Sequence, residues 1–303
     1  MRVLVSGASG MIGSAVCDAL LARGDEVAGL SRDPARARRT NPTVSWHAWE
    51  PASERPPEAA LEDVDAVINL IGEEINQRLT PEAKQRIHDS RVRATKNLVH
   101  AMLGAPRPPR TLVSQSAVGY YGDHREAIID ESVPADSSWV AQLVVDWEAA
   151  ALEAQSGGIR VAITRSAPVL DLAGGLLKQL LPVFKLGVGG PLAGGRQYMP
   201  WIHAFDEVGI ALWALDTPEV TGPLNATSPN PVTNREFSRA LGRVLGRPAL
   251  VPAPRFAVSA LRGSELTEQV LASIRAVPRR ALDLGYAFRF PQIEPALRDL
   301  LRR

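Results

Sequence analysis

The sequence contains few of the residues that form covalent cross-links or metal sites. It has one cysteine, Cys17, and five histidines in 303 residues. An intrachain disulfide requires two cysteines, and the histidines are scattered without the spacing of zinc ligands. An intrachain disulfide is therefore excluded, we expect no metal site, and Cys17 is expected to pack as a small apolar residue in a helix.

The sequence also lacks an excess of charge of either sign and lacks long apolar runs. Lysine and arginine number 34 against 33 acidic residues, which leaves a formal net charge of +1. This balance gives no electrostatic reason for non-specific binding to nucleic acid or to an anionic membrane. No apolar run approaches the length of a membrane span, and no signal-peptide pattern precedes the first strand. We therefore expect a cytoplasmic protein that acts on a small-molecule substrate, with no nucleic acid and no membrane as partner.

The first half of the chain alternates short apolar runs with helical patterns. Apolar runs predict strands near residues 3–6, 26–30, 44–48, 66–70, 111–114 and 160–164. The intervening patterns predict helices near residues 11–23, 81–102 and 138–155. This alternation predicts an α/β fold, a Rossmann-type doubly wound parallel sheet with a smaller C-terminal α/β substrate region.

The pattern changes in the second half of the chain. Residues 198–203 predict a strand, Thr233 and Glu236 form a capping-box pattern, and residues 293–301 predict an amphipathic helix. We place the dinucleotide-binding domain at residues 1–165, with return elements near 198–226. The substrate-binding and C-terminal region then covers residues 166–303.

Three glycines, each separated by two residues, join the first predicted strand to the first predicted helix. Gly7 can make the sharp exit from the strand, Gly10 lets the backbone approach a phosphate, and Gly13 lets the helix pack on the sheet. The helix N-terminus adds amide donors and a partial positive charge. A glycine turn without a ligand is the alternative, but the strand before it and the helix after it favour a dinucleotide site. The expected contacts are Gly7, Ser9, Gly10, Met11, Ile12 and Gly13.

The end of the second strand discriminates between the two nicotinamide dinucleotides. NAD-binding sheets normally place Asp or Glu there to hold the ribose 2′-hydroxyl, whereas this strand ends in Ser31 and Arg32. A guanidinium and a hydroxyl bind a 2′-phosphate, which a carboxylate would repel. We therefore predict NADP (NADPH) as the cofactor, held by Ser31 and Arg32. Asp33 would reach the ribose if the strand ended later, and the arginine-rich segment at 36–39 either adds contacts or, as we favour, forms a solvated helix face.

The Gly-x-x-Gly-x-x-Gly spacing resembles that of extended short-chain dehydrogenases/reductases. The resemblance implies a Tyr that exchanges a proton with the substrate, a Lys that lowers its pKa, and a Ser that orients the substrate oxygen. Ser116 follows the fifth strand, but the next helix has Val140 and Val144 at the Tyr and Lys positions. We therefore assign the catalytic roles to Ser116 and to Tyr120 or Tyr121; packing of the tyrosines in the core is the alternative.

Six short motifs resemble those of one subgroup of that superfamily, the atypical epimerases of the 39U1 type. They are NLIGE at 69–73, DSR at 89–91, SAVGYYG at 116–122, DWE at 146–148, GGPL at 189–192 and WIH at 201–203. Bacterial members of the subgroup are also labelled cell-division inhibitor homologues. The resemblance covers essentially the whole chain and implies an extended fold with a nicotinamide cofactor, but it names no substrate.

The remaining candidate residues follow the predicted strands. Leu70 and Gly72 after the fourth strand, and Pro168 after the sixth, are expected to contact the cofactor. The expected substrate contacts are Glu73, Arg91, Arg196, Trp201 and His203. For each of these the alternative is structural, either a solvated position or packing in the core.

Two functions are compatible with these patterns. The first is an NADP-dependent oxidoreductase or epimerase that acts on a hydroxyl- or carbonyl-bearing small molecule. The second is a catalytically weak NADPH-binding protein with a regulatory or structural role, such as a role in cell division. The intact glycine turn and Ser116 favour the first, whereas the loss of the Tyr-x-x-x-Lys pair favours the second.

Overall fold

A parallel sheet forms the centre of the computed structural model, which describes residues 1–301 except for the side chains of residues 261 and 262. The strands are β1 (Arg2–Ser6), β2 (Glu26–Ser31), β3 (Ser45–Ala48), β4 (Ala66–Asn69), β5 (Thr111–Ala117), β6 (Ile128–Ile129), β7 (Arg160–Ser166), β8 (Val169–Leu170), β9 (Tyr198–Met199), β10 (Ile202–His203), β11 (Gly222–Ala226), β12 (Val232–Thr233) and β13 (Arg275–Ala276). Seven of them form one parallel sheet in the order β3-β2-β1-β4-β5-β7-β11. The predicted doubly wound sheet is confirmed, and its order reverses between β1 and β4.

Helices cover both faces of this sheet. They are α1 (Met11–Ala22), α2 (Pro34–Thr40), α3 (Pro81–His88), α4 (Ala94–Gly104), α5 (Trp139–Leu152), α6 (Gly175–Lys185), α7 (Ala204–Asp216), α8 (Asn234–Leu245), α9 (Arg255–Arg262), α10 (Ser264–Leu271), α11 (Arg279–Asp283) and α12 (Ile293–Leu301). The capping box predicted at Thr233 and Glu236 starts α8. Within residues 1–301, no helix combines the length and the apolarity needed to cross a membrane.

Alternation along the strands divides the core into two layers. Val3 and Val5 of β1 pack in the cluster that contains α1 and α7, whereas Leu4 packs in the cluster on α4 and α5. This division follows because successive side chains of a strand point to opposite faces. Cys17 lies in the first cluster, buried as predicted.

Two predicted elements are interrupted. The strand predicted at 198–203 is wrong, because β9 ends at Met199 and pairs with β12, whereas β10 begins at Ile202 and pairs with β8. The helix predicted at 81–102 contains a π-helical turn, Asp89–Arg93, between α3 and α4. Such turns insert an extra residue into a helix and change the direction of the side chains on it.

The last part of the chain is fastened to the sheet region at two places. β13 pairs in parallel with β6, so that Arg275 and Ala276 lie beside Ile128 and Ile129. The buried carboxylate of Asp206, in the first turn of α7, accepts the backbone amides of residues 289 and 290 at 2.8 and 2.9 Å. The first contact joins the C-terminal segment to the loop after β5, and the second joins it to α7.

Candidate functional site

The glycine turn between β1 and α1 brings three backbone segments into contact. Gly7 has a φ of +68°, and a Cβ at this residue would lie 2.7 Å from the carbonyl oxygen of Leu70. A Cβ at Gly13 would lie 2.1 Å from the carbonyl oxygen of Gly7. Side chains at either position would push α1 away from the carboxyl ends of β1 and β4, so both glycines are required by the geometry.

The N-terminus of α1 is open at this turn. Gly10 is the N-cap residue, and no side chain caps the helix there. Ser9 and Gly10 are exposed, so the first amides of α1 face solvent at the carboxyl edge of the sheet. Uncapped amides at a helix N-terminus form a binding site for an anion such as a pyrophosphate. Met11 closes one side of the turn, since a Cβ at Gly174 would lie 2.9 Å from its sulfur.

A pocket of about 300 Å³ lies between this turn and the end of β2. Its lining combines hydroxyl groups with two arginines. The lining residues are Ala8, Ser9, Ser14, Ser31, Arg32, Asp33, Arg36, Ala37, Thr40, Asn41 and Trp46. Arginines and hydroxyls beside a nucleotide turn are the groups that bind a phosphate ester.

The structure resolves the two alternatives at the start of α2. β2 ends at Ser31, and the Asp33 carboxylate is the N-cap of α2, where it accepts the amide of Arg36 at 2.9 Å. Asp33 is thus held by the helix cap rather than directed at a ribose. Arg36, Arg38 and Arg39 are all exposed, as expected of a solvated helix face, and of the three only Arg36 lines the pocket, so its contact with the cofactor stays a prediction.

A buried ion pair lies beneath the carboxyl end of β5. Arg165 of β7 binds both carboxylate oxygens of Glu148 on α5, at 2.7 and 2.8 Å. Ser116 donates its hydroxyl to the same carboxylate at 2.6 Å. The phenol of Tyr121 accepts from Arg165 at 3.0 Å and donates to Asn225 on β11 at 2.7 Å. Four elements of the sheet region are thereby joined by one polar network.

This network corrects two of the predicted catalytic assignments. Ser116 is 2% exposed and Tyr121 is 0% exposed. The Ser116 proton is directed at Glu148, and burial raises the pKa of Tyr121 to about 12, although Arg165 partly opposes the shift. Neither group can exchange a proton with a substrate from this position, so both act as interior hydrogen-bonding groups. Arg165 is held in this ion pair by both oxygens of Glu148.

Tyr120 is the remaining phenol at this strand end. It is half-buried, and the guanidinium of Arg165 lies 3.5 Å from the centre of its ring. Val140 and Val144 on the adjacent helix are both buried. A Cβ at Gly119 would lie 2.8 Å from Val140, so this helix meets the loop of Tyr120 through an apolar contact. No side chain at these two helix positions can transfer a proton.

The segment after β4 carries a compact charged loop. The Glu73 carboxylate accepts from Gln77 at 2.9 Å and pairs with Arg86 at 3.3 Å, and its backbone amide donates to Ser90. Arg91 approaches Gly72 so closely that a Cβ there would lie 2.9 Å from the guanidinium carbon. Leu70 therefore lies against the glycine turn and Arg91 against Gly72, while the carboxylate of Glu73 is already engaged within its own loop.

The predicted substrate cluster in the second half is dispersed. Trp201 is 0% exposed, and its indole donates to the carbonyl of Asn230. His203 is buried, accepts the amide of Phe205 as the N-cap of α7, and stacks on Phe290 at 4.0 Å. Both assignments as substrate contacts are wrong, because these rings form the interior between the sheet region and the C-terminal segment. Arg196 is exposed in the loop before β9, and its substrate contact stays a prediction, as does the cofactor contact of the exposed Pro168.

A buried carboxylate on the opposite face of the sheet was not anticipated from the sequence. Glu207 in the first turn of α7 is 3% exposed and accepts the hydroxyl of Ser166, at the end of β7. Its second oxygen has no hydrogen-bond partner among the described residues. Burial raises the pKa of Glu207 to about 7, and the side chains of Ser166 and Gln115 limit the shift.

We expect this carboxyl group to make the stability depend on pH. Its ordinary pKa is 4.5 and its folded value is about 7, so the folded protein holds more protons than the unfolded chain between these values. The free energy of unfolding therefore falls as the pH rises through this window, by up to about 3 kcal/mol. Glu207→Gln should abolish most of this slope and be more stable than the wild type at pH 8. Urea unfolding at pH 5 and pH 8 measures both; equal slopes in the two proteins would contradict the assignment.

Known proteins are similar to this one over almost its whole length. Residues 3–226 match the NAD-dependent epimerase/dehydratase family, and residues 253–300 match a domain of unknown function, DUF1731. An epimerase family protein of Mycobacterium bovis is 41% identical over 297 residues, 97% of this chain and 96% of that protein. The crystal structure of human epimerase family protein SDR39U1 (isoform 2) with NADPH is 36% identical, covers 100% of both chains and has a TM-score of 0.89. UDP-glucuronic acid 4-epimerase of Bacillus cereus shares the fold at 17% identity, with a TM-score of 0.79 over 99% of this chain and 98% of that chain.

Proposed function

Because the chain belongs to the NAD-dependent epimerase/dehydratase family and is similar to human SDR39U1 over its whole length, we propose that it binds NADPH along the carboxyl edge of its sheet. The amides of the glycine turn and of α1 would hold the pyrophosphate. Arg32, Arg36 and Ser31 would hold the 2′-phosphate in the neighbouring pocket. A hydroxyl- or carbonyl-bearing small molecule is the proposed substrate.

The observation that carries the choice of NADPH is the pocket beside β2. Two arginines and several hydroxyls line it, and the one carboxylate in the lining, Asp33, is bound to a helix amide at 2.9 Å. A free carboxylate would favour the 2′-hydroxyl of NADH, whereas guanidinium groups favour a phosphate ester. The human relative crystallised with NADPH supports the same choice.

The proposed chemistry is reduction of a carbonyl group or its reversal, as in an epimerase. When bound, NADPH supplies a hydride to the carbonyl carbon, and its oxidised form takes a hydride from the alcohol carbon. The carbonyl oxygen must then gain one proton, which we assign to the phenol of Tyr120. The guanidinium of Arg165 lies 3.5 Å from the centre of the Tyr120 ring and packs against it.

A second function is favoured by a specific observation, the two buried valines at 140 and 144. They present an apolar helix face to the loop of Tyr120 and leave the phenol without a neighbouring lysine on that helix. A protein that binds NADPH and turns over no substrate would have this structure. Its role would then be to report or sequester the reduced cofactor.

Replacing Tyr120 by phenylalanine separates the two functions. If Tyr120 is the proton donor, we expect Tyr120→Phe to lower NADPH oxidation with a panel of carbonyl compounds by roughly 100-fold or more, without changing the Kd of NADPH. Tyr198→Phe is the matched control, because the ring of Tyr198 lies against Arg275 on β13. NADPH binding without oxidation by any compound would support the second function. Unchanged turnover in Tyr120→Phe would remove the tyrosine from the mechanism.

A further inference from the structure

The π-helical turn between α3 and α4 changes the direction of one cationic side chain. The turn spans Asp89–Arg93 and carries Arg91 at its centre. Turns of this kind are uncommon and occur frequently at functional sites, where they redirect a side chain without ending the helix. Here the redirected side chain is half-buried and points back toward the end of β4, beside Gly72.

The guanidinium of Arg91 lies between an indole ring and a glycine. Its central carbon is 5.2 Å from the centre of the Trp147 ring, which gives a favourable cation–π contact. On its other side, a Cβ at Gly72 would lie 2.9 Å from the same carbon. Only a glycine at position 72 leaves the group in this place.

A buried hydrogen-bond chain fixes the ring that supports Arg91. The indole nitrogen of Trp147 donates to the hydroxyl of Thr95 at 3.1 Å. Thr95 in turn accepts from the amide of Asn69 at 3.0 Å, and Asn69 accepts from Ser6 at 2.5 Å. Ser6 immediately precedes Gly7, so the chain runs from the glycine turn to the aromatic support of Arg91. The guanidinium is therefore placed relative to the turn by interior contacts rather than by a mobile loop.

The charge of Arg91 is not neutralised by an ion pair. Within the described part of the chain, no carboxylate lies within ion-pair distance of its guanidinium, and its own hydrogen bonds are long, 3.4 and 3.5 Å. Glu73, whose charge acts on Arg91, is bound to Gln77 and Arg86. Burial lowers the pKa of Arg91 to about 10, with Glu73 opposing the shift, so the group is still charged at neutral pH.

We propose that Arg91 binds an anionic group, a carboxylate or a phosphate, of a ligand bound at the carboxyl edge of the sheet beside Gly72. The proposal rests on the proposed function for the presence of a ligand at that edge. Two sources of the anion are compatible with the geometry, a phosphate of the cofactor or an acidic group of the substrate. In the second case the substrate is an anionic hydroxyl or carbonyl compound.

The test compares Arg91→Met with Arg93→Met. Methionine retains an unbranched apolar stem on Trp147 and removes the charge. Arg93 is the control, since it lies on the same turn, its side chain is 59% exposed, and it pairs with Asp89 at 3.7 Å rather than with Glu73. Calorimetry measures NADPH binding, and then oxalate and inorganic phosphate binding to the free and the NADPH-saturated protein. We expect Arg91→Met to weaken one of these by about tenfold or more, as loss of a charge-assisted hydrogen bond does, and Arg93→Met to leave all of them unchanged.

The pattern of losses identifies the source of the anion. Weaker NADPH binding in Arg91→Met assigns the residue to the cofactor, whereas unchanged NADPH binding with weaker oxalate or phosphate binding assigns it to the substrate. Arg91→Gln is a second variant, because it removes the charge and retains a polar side chain, and it should show the same loss. Unchanged binding of all three probes in both variants, or no binding of any probe to the wild type, would overturn the proposal. A wild type that binds oxalate or phosphate but not NADPH would refute the proposed function and leave the Arg91 comparison valid.

Discussion

Replacing Arg32 with alanine is expected to raise the Kd of NADPH by about 10- to 100-fold and to leave the Kd of NADH nearly unchanged. Arg32 is exposed at the mouth of the pocket beside β2, where it meets Arg36 and the hydroxyl of Ser31. The 2′-phosphate is the group that distinguishes the two dinucleotides, so a lost guanidinium contact affects only one of them. Fluorescence or calorimetric titration of both cofactors measures the ratio.

Arg38→Ala is the matched control for this experiment. It removes the same charge from α2, which begins two residues after Arg32, but Arg38 lies outside the pocket lining. We expect the NADPH affinity of Arg38→Ala to fall only slightly, because the charge that is lost acts at long range and is screened by salt. A wild type with no preference for NADPH, or equal losses in Arg32→Ala and Arg38→Ala, would show that the pocket does not bind the 2′-phosphate.

Glu148→Gln is expected to lower the free energy of unfolding by about 3–5 kcal/mol, because it leaves the guanidinium of Arg165 buried without its counter-charge. Arg165 contributes two of its hydrogen bonds to this carboxylate, and Ser116 contributes a third. The pair is interior, with side chains only 4% and 9% exposed, so solvent cannot screen the loss. Urea unfolding at a fixed pH near 7 measures the change.

Glu153→Gln provides the comparison on the same helical segment. Glu153 follows α5 and pairs with Lys96 at 3.6 Å at the surface, where an ion pair contributes roughly 0–1 kcal/mol. The double variant Glu148→Met with Arg165→Met should recover part of the loss, since no buried charge is then left alone. A loss below about 1 kcal/mol in Glu148→Gln would mean that water reaches Arg165 in solution.

The sheet and the glycine turn were predictable because their signals are local. A buried parallel strand is a continuous apolar run, as in residues 3–5, and the turn between strand and helix is marked by its glycines. The contact that explains Gly7, with the carbonyl of Leu70, is distant in sequence but follows from the parallel pairing of β1 with β4. Local patterns therefore predicted both the fold and the position of the dinucleotide turn.

The roles of the candidate catalytic residues were predicted less well, because their hydrogen-bond partners are set by tertiary contacts. Ser116 and Tyr121 occupy the expected strand end, but their partners, Glu148 and Asn225, lie 32 and 104 residues away in sequence. One signal was present: Glu148 lies eight residues after Val140 on the buried stripe of its helix, where an acid requires a partner. Glu207 gave no such signal, since acids in the first turn of a helix are common at the surface.

The pairing of β6 with β13 sets the order in which parts of the fold can form during synthesis. A ribosome delivers residues 128–129 well before residues 275–276, so the loop that follows the fifth strand emerges without its neighbour. The amides of residues 289 and 290, which Asp206 holds, emerge later still. A nascent chain can therefore complete its glycine turn early, while the loop beside Tyr120 gains its neighbouring strand only after residue 276 has emerged.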